Sequence, residues 1–297
     1  SFYAIDDSDN SIPNVLLSLD MATDIIAEGQ AATIHPILGW IGSLSNISRN
    51  KGYWVKLFDN DTYELEDGAP NRTDMTYELN YGQNLISYSG PSETPIGDAV
   101  PEDLACNSII GAGVAATYLE GANIWVGSLS NLKPWGGYWI NCLEQQVLEF
   151  EGHGALPRPE VPIEIPEFLS FEQSPRQAFY FIESIQDAVE GRDFIISRKG
   201  NDILGVVPYG EYAAVPAMGA FEDVPGYEAG EQVSLQLYNK DEDLYYYLNG
   251  QDLAPWNDLE INMLEPMTMT PVIPKGYKLH NAYPNPFNPV ATIQFDI

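Results

Sequence analysis

Trp40-Ile-Gly-Ser-Leu-Ser-Asn-Ile-Ser-Arg-Asn-Lys-Gly-Tyr-Trp-Val55 aligns without gaps to Trp125-Val-Gly-Ser-Leu-Ser-Asn-Leu-Lys-Pro-Trp-Gly-Gly-Tyr-Trp-Ile140. An internal repeat of this kind has to be found first, because missing it misassigns the whole fold. Upstream, Ile25-Ile-Ala-Glu-Gly-Gln-Ala-Ala-Thr33 aligns to Ile109-Ile-Gly-Ala-Gly-Val-Ala-Ala-Thr117, and further back Leu16-Leu-Ser18 matches Leu85-Ile-Ser87. The blocks keep their order, so the chain carries two related modules, read as 11–70 and 71–154 behind a short N-terminal segment, 1–10. The second copy is longer between its first two blocks, where Ile96-Gly-Asp-Ala-Val-Pro-Glu-Asp-Leu104 is expected to form a short helical turn. Everything else in the repeat reads as short strands separated by Gly and Asn turns.

In Gly52-Tyr53-Trp54-Val55 and Gly137-Tyr138-Trp139-Ile140 neighbouring side chains point to opposite sheet faces, so one aromatic of each pair belongs in a core. The repeated aromatics have two readings. They are packing anchors, or Trp40, Trp125 and Trp135 form an exposed surface on which a sugar or a partner protein stacks. Cys106 aligns with Ala22 and Cys142 with Leu57, so the second copy has both cysteines and the first has neither. Their paired gain or loss makes Cys106 and Cys142 candidates for a disulfide, with two separate buried thiols as the alternative.

Beyond the repeat, Leu156-Pro-Arg-Pro-Glu-Val-Pro-Ile-Glu-Ile-Pro166 reads as a semi-rigid linker spanning 155–166. Region 167–272 has its own strands: an alternating Phe168–Phe171, an aromatic Gln177–Ser184, and two hairpins. One hairpin turns at Arg198–Asp202 and the other at Asn239–Asp243. Regular short strands with such turns predict a β-sandwich. The expected class is therefore all-β: two small repeated modules, a sandwich, and a final segment, 273–297.

That final segment contains Leu279-His-Asn-Ala-Tyr-Pro-Asn-Pro-Phe-Asn-Pro289, followed by an alternating strand, Val290 to Ile297. Leu279, Asn281, Tyr283, Pro284, Asn285, Pro286, Phe287, Asn288 and Pro289 match the hallmark run of the C-terminal sorting domain of type IX secretion cargo, and the segment resembles the opening of that Ig-like domain. The resemblance covers about the last two dozen residues. It implies export by the type IX machinery to the cell surface or the extracellular medium. The family domain continues for several more strands, so the chain reads as a fragment or a processed product, and its last strand needs a partner. The two copies in turn resemble a small all-β module found in multidomain surface and secreted proteins of marine bacteria with the same signal. That resemblance implies an accessory module, with no catalytic residue to carry over. The 167–272 region, through Gln173-Ser174, Gln177–Phe181 and Val215–Gly219, resembles an uncharacterised module that often precedes the signal.

Forty-three acidic side chains against 13 basic ones give a formal net charge of −30. Binding to phosphate backbones or anionic lipid depends on basic side chains, so nucleic-acid partners and membrane surfaces are disfavoured. No run approaches the ~20 apolar residues needed to span a bilayer as a helix, so membrane insertion is not expected. The histidines are His35, His153 and His280, and no metalloprotease, nucleophile-elbow or phosphate-loop motif occurs. Calcium is the natural inorganic partner for loop carboxylates, and the candidate ligands are Asp6, Asp7 and Asp9, Asp59 and Asp61, and Asp241 and Asp243. The expectation is a non-catalytic secreted structural or adhesive protein, self-associating through its last strand. The alternative is a carbohydrate-binding accessory region of a larger secreted hydrolase.

Overall fold

The computed structural model describes Phe2, Ala4, Ile5, residues 9–64, 75–151 and 164–272, and the backbone of 278–279 and 295–296. The chain is nearly all β, as its turn-punctuated pattern predicts. The first copy opens with one helical turn, α1 (Ile12–Val15). Four strands follow: β1 (Ala22–Ala27), β2 (Gln30–His35), β3 (Gly39–Gly42) and β4 (Trp54–Leu57). They form an antiparallel sheet in the order β3-β2-β1-β4. Ile12, Ile25, Leu44 and Ile47 fill its core together with Phe2 and Ile5.

The second copy contains β5 (Thr76–Leu79), β6 (Gly82–Ser87), β7 (Thr94–Pro95), α2 (Ile96–Ala99), β8 (Cys106–Ile110), β9 (Ala115–Leu119) and β10 (Ile124–Gly127). It closes with β11 (Asn131–Leu132), β12 (Gly137–Cys142) and β13 (Gln146–Glu149). Its main sheet runs β10-β9-β8-β12-β6, with the ribbons β11-β7 and β13-β5 beside it. The helical turn expected within Ile96–Leu104 is α2.

The structure corrects the upstream alignment. The amide of Ile12 bonds the carbonyl of Ser45, and that of Ile96 bonds Ser130, while Ser11 pairs with Asn46 as Pro95 pairs with Asn131. Helix α1 is therefore the counterpart of α2, and Leu16 corresponds to Val100 rather than to Leu85. With that register, Ile12 to Thr33 matches Ile96 to Thr117 without a gap. Among the described residues, no strand of the first copy takes the place beside β4 that β6 takes beside β12.

Each repeated motif does the same mechanical job twice. Gly42 and Gly127 take φ of +150° and +129°, and a Cβ there would lie 2.2 Å from the Ala31 carbonyl oxygen and 2.3 Å from that of Ala115. The next serine, Ser43 or Ser128, accepts the Ala31 or Ala115 amide on its Oγ at 3.1 Å. The following leucine, Leu44 or Leu129, is buried and donates its own amide to the same alanine's carbonyl. In the Gly-Tyr-Trp block, Tyr53 Oη accepts the Ser48 amide at 2.7 Å, and Tyr138 Oη accepts that of Lys133 at 2.8 Å. These hydrogen bonds give loop backbone groups fixed partners and hold the loops in the same shape in both copies.

The two copies meet at β6. One edge of this strand pairs with β12. Its other edge meets residues 50–52 of the first copy: the Gly52 amide donates to Leu85, Lys51 bridges Ile86, and Ser87 Oγ donates to the Arg49 carbonyl. The equivalent glycines Gly52 and Gly137 face each other there. A Cβ on Gly137 would be 3.4 Å from Gly52 Cα, and one on Gly52 would strike the Ile86 carbonyl at 2.7 Å.

The third unit is a sandwich. It comprises β14 (Gln177–Ile182), β15 (Phe194–Lys199), β16 (Asp202–Pro208), β17 (Ala213–Met218), β18 (Leu235–Asn239), β19 (Leu244–Asn249), β20 (Ile261–Leu264) and β21 (Thr268–Pro271). Sheets β17-β14-β20 and β16-β15-β18-β19-β21 enclose Tyr180, Ile195, Val215, Leu237 and Trp256. The segment expected to alternate as a strand at Phe168–Phe171 instead begins with a 3-10 turn, Glu167–Leu169. It buries Leu169 over the outer face of the larger sheet against Phe194, Ile196 and Tyr238. Strand β14 serves two cores by its twofold alternation. Ala178, Tyr180 and Ile182 enter the sandwich, while Phe179 and Phe181 pack with Ile110 and Ala115 of the second copy.

The linker lies largely outside the described residues, as do all sorting-motif positions except the backbone of Leu279. Lys278–Leu279 (β22) pairs antiparallel with Phe295–Asp296 (β23), giving the last strand a partner within its own chain.

Candidate functional site

Two aromatic concavities stand out among the described residues, one inside the second copy and one between the copies. The first holds about 220 Å³ and is formed where α2 and the loop after it face the outer hairpin β9–β10. Trp125 and Tyr118 are cross-strand partners on that hairpin, with ring centroids 5.2 Å apart and tilted by 51°. Cross-strand aromatic pairs hold each other in place, so this wall is preformed. Asp98, from α2, and Glu102, from the following loop, supply the opposite wall, and both are exposed. Asn123 sits at the rim with φ of +56°, and its Oδ1 accepts the Tyr118 hydroxyl. The floor includes Cys106, which a disulfide joins to Cys142 directly across the β8–β12 pair.

The second concavity, about 150 Å³, lies between the copies. Tyr53 and Trp54 come from the first Gly-Tyr-Trp block, and Trp139 from the second. Trp135 closes it from a residue held at φ +66°. Trp135 is 40% exposed and meets Tyr63 edge-on at 6.5 Å. The indole N–H of Trp139 is buried without a hydrogen-bond acceptor. Glu28 crosses nearby and accepts the Leu85 amide at 3.3 Å.

The three tryptophans singled out in the sequence occupy three different places. Trp40 is half-buried against the core of the first copy, Trp125 lines the first concavity and Trp135 the second. Their companions Tyr118, Tyr53, Trp54 and Trp139 were visible as aromatics, but only the sheet register and the meeting of the copies bring them to these walls.

The acidic loops are engaged locally. Hydrogen bonds from the Ser11 side chain and from its amide, the latter at 3.0 Å, hold the Asp9 carboxyl below the usual range. Asp61 accepts the Met21 and Thr62 amides, and Asp59 the Asn60 amide. Asp241 pairs with Arg192 at 2.9 Å, and Asp243 accepts the Tyr238 hydroxyl at 2.8 Å. Among the described residues no three acidic, His or Cys side chains gather as a metal site. Asp6 and Asp7 lie outside them. No helix among the described residues is long and apolar enough to cross a membrane.

No protein-family model, curated protein or solved structure matches this chain. Its own two copies are therefore the comparison that its sites allow.

Proposed function

We propose that the chain is a non-catalytic secreted protein of the cell surface or extracellular matrix, structural or adhesive in role and exported by the type IX machinery. The observation that carries the reading is the way neighbouring units share strands. Strand β6 is bonded to both copies, and β14 feeds both the sandwich and the second copy. Burying Phe179 and Phe181 at that junction contributes on the order of 3–6 kcal/mol. A body whose units are joined this way resists bending at its junctions, which suits a load-bearing or spacing role. Among the described residues the terminal strand is paired on one side only, with β22, and addition of a strand from a second copy along its other edge is the route to self-association in this reading. Multi-angle light scattering on the full chain and on a version ending at residue 291 tests this. Concentration-dependent assembly lost in the shorter form is expected, and two monomers at every concentration would remove the self-assembly clause.

The second reading, a carbohydrate-binding region, is favoured by the four aromatics of the inter-copy cleft. Flat rings with a buried unpaired donor beside them suit a sugar face and one of its hydroxyls. Binding on a glycan array that disappears in Trp54→Ala and Trp135→Ala would support it, and an array without signal would count against it.

A further inference from the structure

The concavity of the second copy has a counterpart position in the first, and the two differ in chemistry while sharing a backbone. The matched hydrogen bonds of Ile12 and Ile96 set one side of the comparison. The pairs Ile34 with Trp40 and Tyr118 with Trp125 set the other. In that register the tryptophan stays, whereas Tyr118 stands opposite Ile34, Asn123 opposite Leu38, Asp98 opposite Asn14 and Glu102 opposite Ser18. Packing does not require these differences, because the first copy buries its equivalent core without them. They place two carboxylates and a second aromatic ring around one opening.

We propose that this pocket, Tyr118, Trp125, Asp98 and Glu102, binds a small organic cation, an alkylammonium or guanidinium group the size of a basic side chain. The charges set the ligand's sign: two carboxylates line the cavity and no Lys or Arg does. The hydrogen-bonding inventory points the same way. Carboxylates only accept, and the Tyr118 hydroxyl has committed its proton to the amide oxygen of Asn123, so the side chains around the opening offer more acceptors than donors and suit a donor-rich guest. A neutral sugar would find few donors for its own oxygens. The ring faces add cation–π attraction, which is strongest for Trp. The cavity of about 220 Å³ accommodates such a group. The Cys106–Cys142 bridge, absent from the first copy, ties β8 at the pocket floor to β12. A chain of net charge −30 would also draw cations toward this opening.

The inference is independent of the structural and glycan readings. Its test is calorimetric titration of the full chain with butylammonium, with a capped tripeptide centred on lysine or on arginine, with glucose and with calcium chloride. At least one organic cation should bind, and Asp98→Asn combined with Glu102→Gln should weaken it about tenfold or more while leaving the fold intact by circular dichroism. Tyr118→Ile, which installs the residue of the first copy, should weaken it as well, and Trp40→Phe should not. Butylammonium binding as well as the peptides indicates a free amine as ligand, and preference for the peptides indicates a basic side chain of a partner. Heat only from glucose, heat only from calcium, no heat from any cation, or unchanged affinity in the Asp98/Glu102 double variant would each overturn the proposal.

Discussion

Gly127 shows how tightly single residues constrain this chain. Its positive φ and the Ala115 carbonyl behind it exclude a side chain, and Phe181 of the sandwich closes the remaining space at 2.6 Å. Replacing Gly127 by Ala should destabilise the protein by about 2–4 kcal/mol, combining backbone strain with overpacking. Gly121, where a methyl would meet nothing within 4 Å, is the control. Equal melting temperatures for Gly127→Ala and Gly121→Ala would refute that account. The tyrosines supply a second prediction. Burial pushes the phenols of Tyr63 and Tyr227 up to about 12, and burial with the Asp243 carboxylate does the same for Tyr238. These groups keep their protons in the fold, whereas in the unfolded chain they ionise near pH 10. Their stabilisation is complete below about pH 10 and is lost as pH rises toward 12, about 2–3 kcal/mol for the buried Tyr227 alone. Tyrosinate absorbance should therefore show a late-titrating class whose ionisation coincides with loss of the β signal. Simple titration of all 18 tyrosines near pH 10, with the fold retained, would contradict it.

At the scale of elements, the disulfide invites comparison with its counterpart pair, since Ala22 faces Leu57 across β1 and β4 as Cys106 faces Cys142. Closing 36 residues should stabilise the second copy by roughly 4 kcal/mol in the chain-entropy account. The double change Cys106→Ala with Cys142→Leu, which copies the first module, should keep the fold and lower its unfolding midpoint in urea. An unchanged midpoint would show that the bridge adds nothing. The repeat itself was legible in the sequence because Gly42, Ser43, Leu44 and Tyr53 each meet a geometric demand that recurs at Gly127, Ser128, Leu129 and Tyr138. The upstream match of Leu16 with Leu85 failed because a short apolar triplet fits a helical turn and a strand equally well. Only backbone hydrogen bonds distinguish the two. The Phe168–Phe171 reading failed for a related reason, since two-residue alternation over four residues also describes a segment that lays one side chain, Leu169, onto a sheet. The aromatic walls were half legible: the rings are plain in the sequence, but their convergence depends on which strands become neighbours.

For the whole molecule the dominant quantity is charge. With a formal −30, from 43 acidic side chains against 13 basic ones, the folded state repels itself across its surface. Lys51–Glu28 and Lys199–Glu231 are half-exposed pairs of the kind that contributes little. Screening shortens from about 30 Å at 0.01 M salt to about 8 Å at 0.15 M. The melting temperature should accordingly rise with sodium chloride over that range. A midpoint that is flat or falls with salt would mean that local pairing outweighs the global field.

Strand β6 has a consequence in time as well as in space. As the chain is synthesised from its N-terminus, residues 50–52 are present before Leu85, and β6 is present before β12. The first surface offered to β6 is therefore the finished first module, and β12 later adds to an edge already held in place. We expect the N-terminal module to act as a mould for its neighbour. Hydrogen exchange on a chain ending at residue 90, which has the first module and β6 but not β12, should already protect the Ser87 amide, which faces Asn50, and an unprotected amide there would show that the second copy assembles without its template.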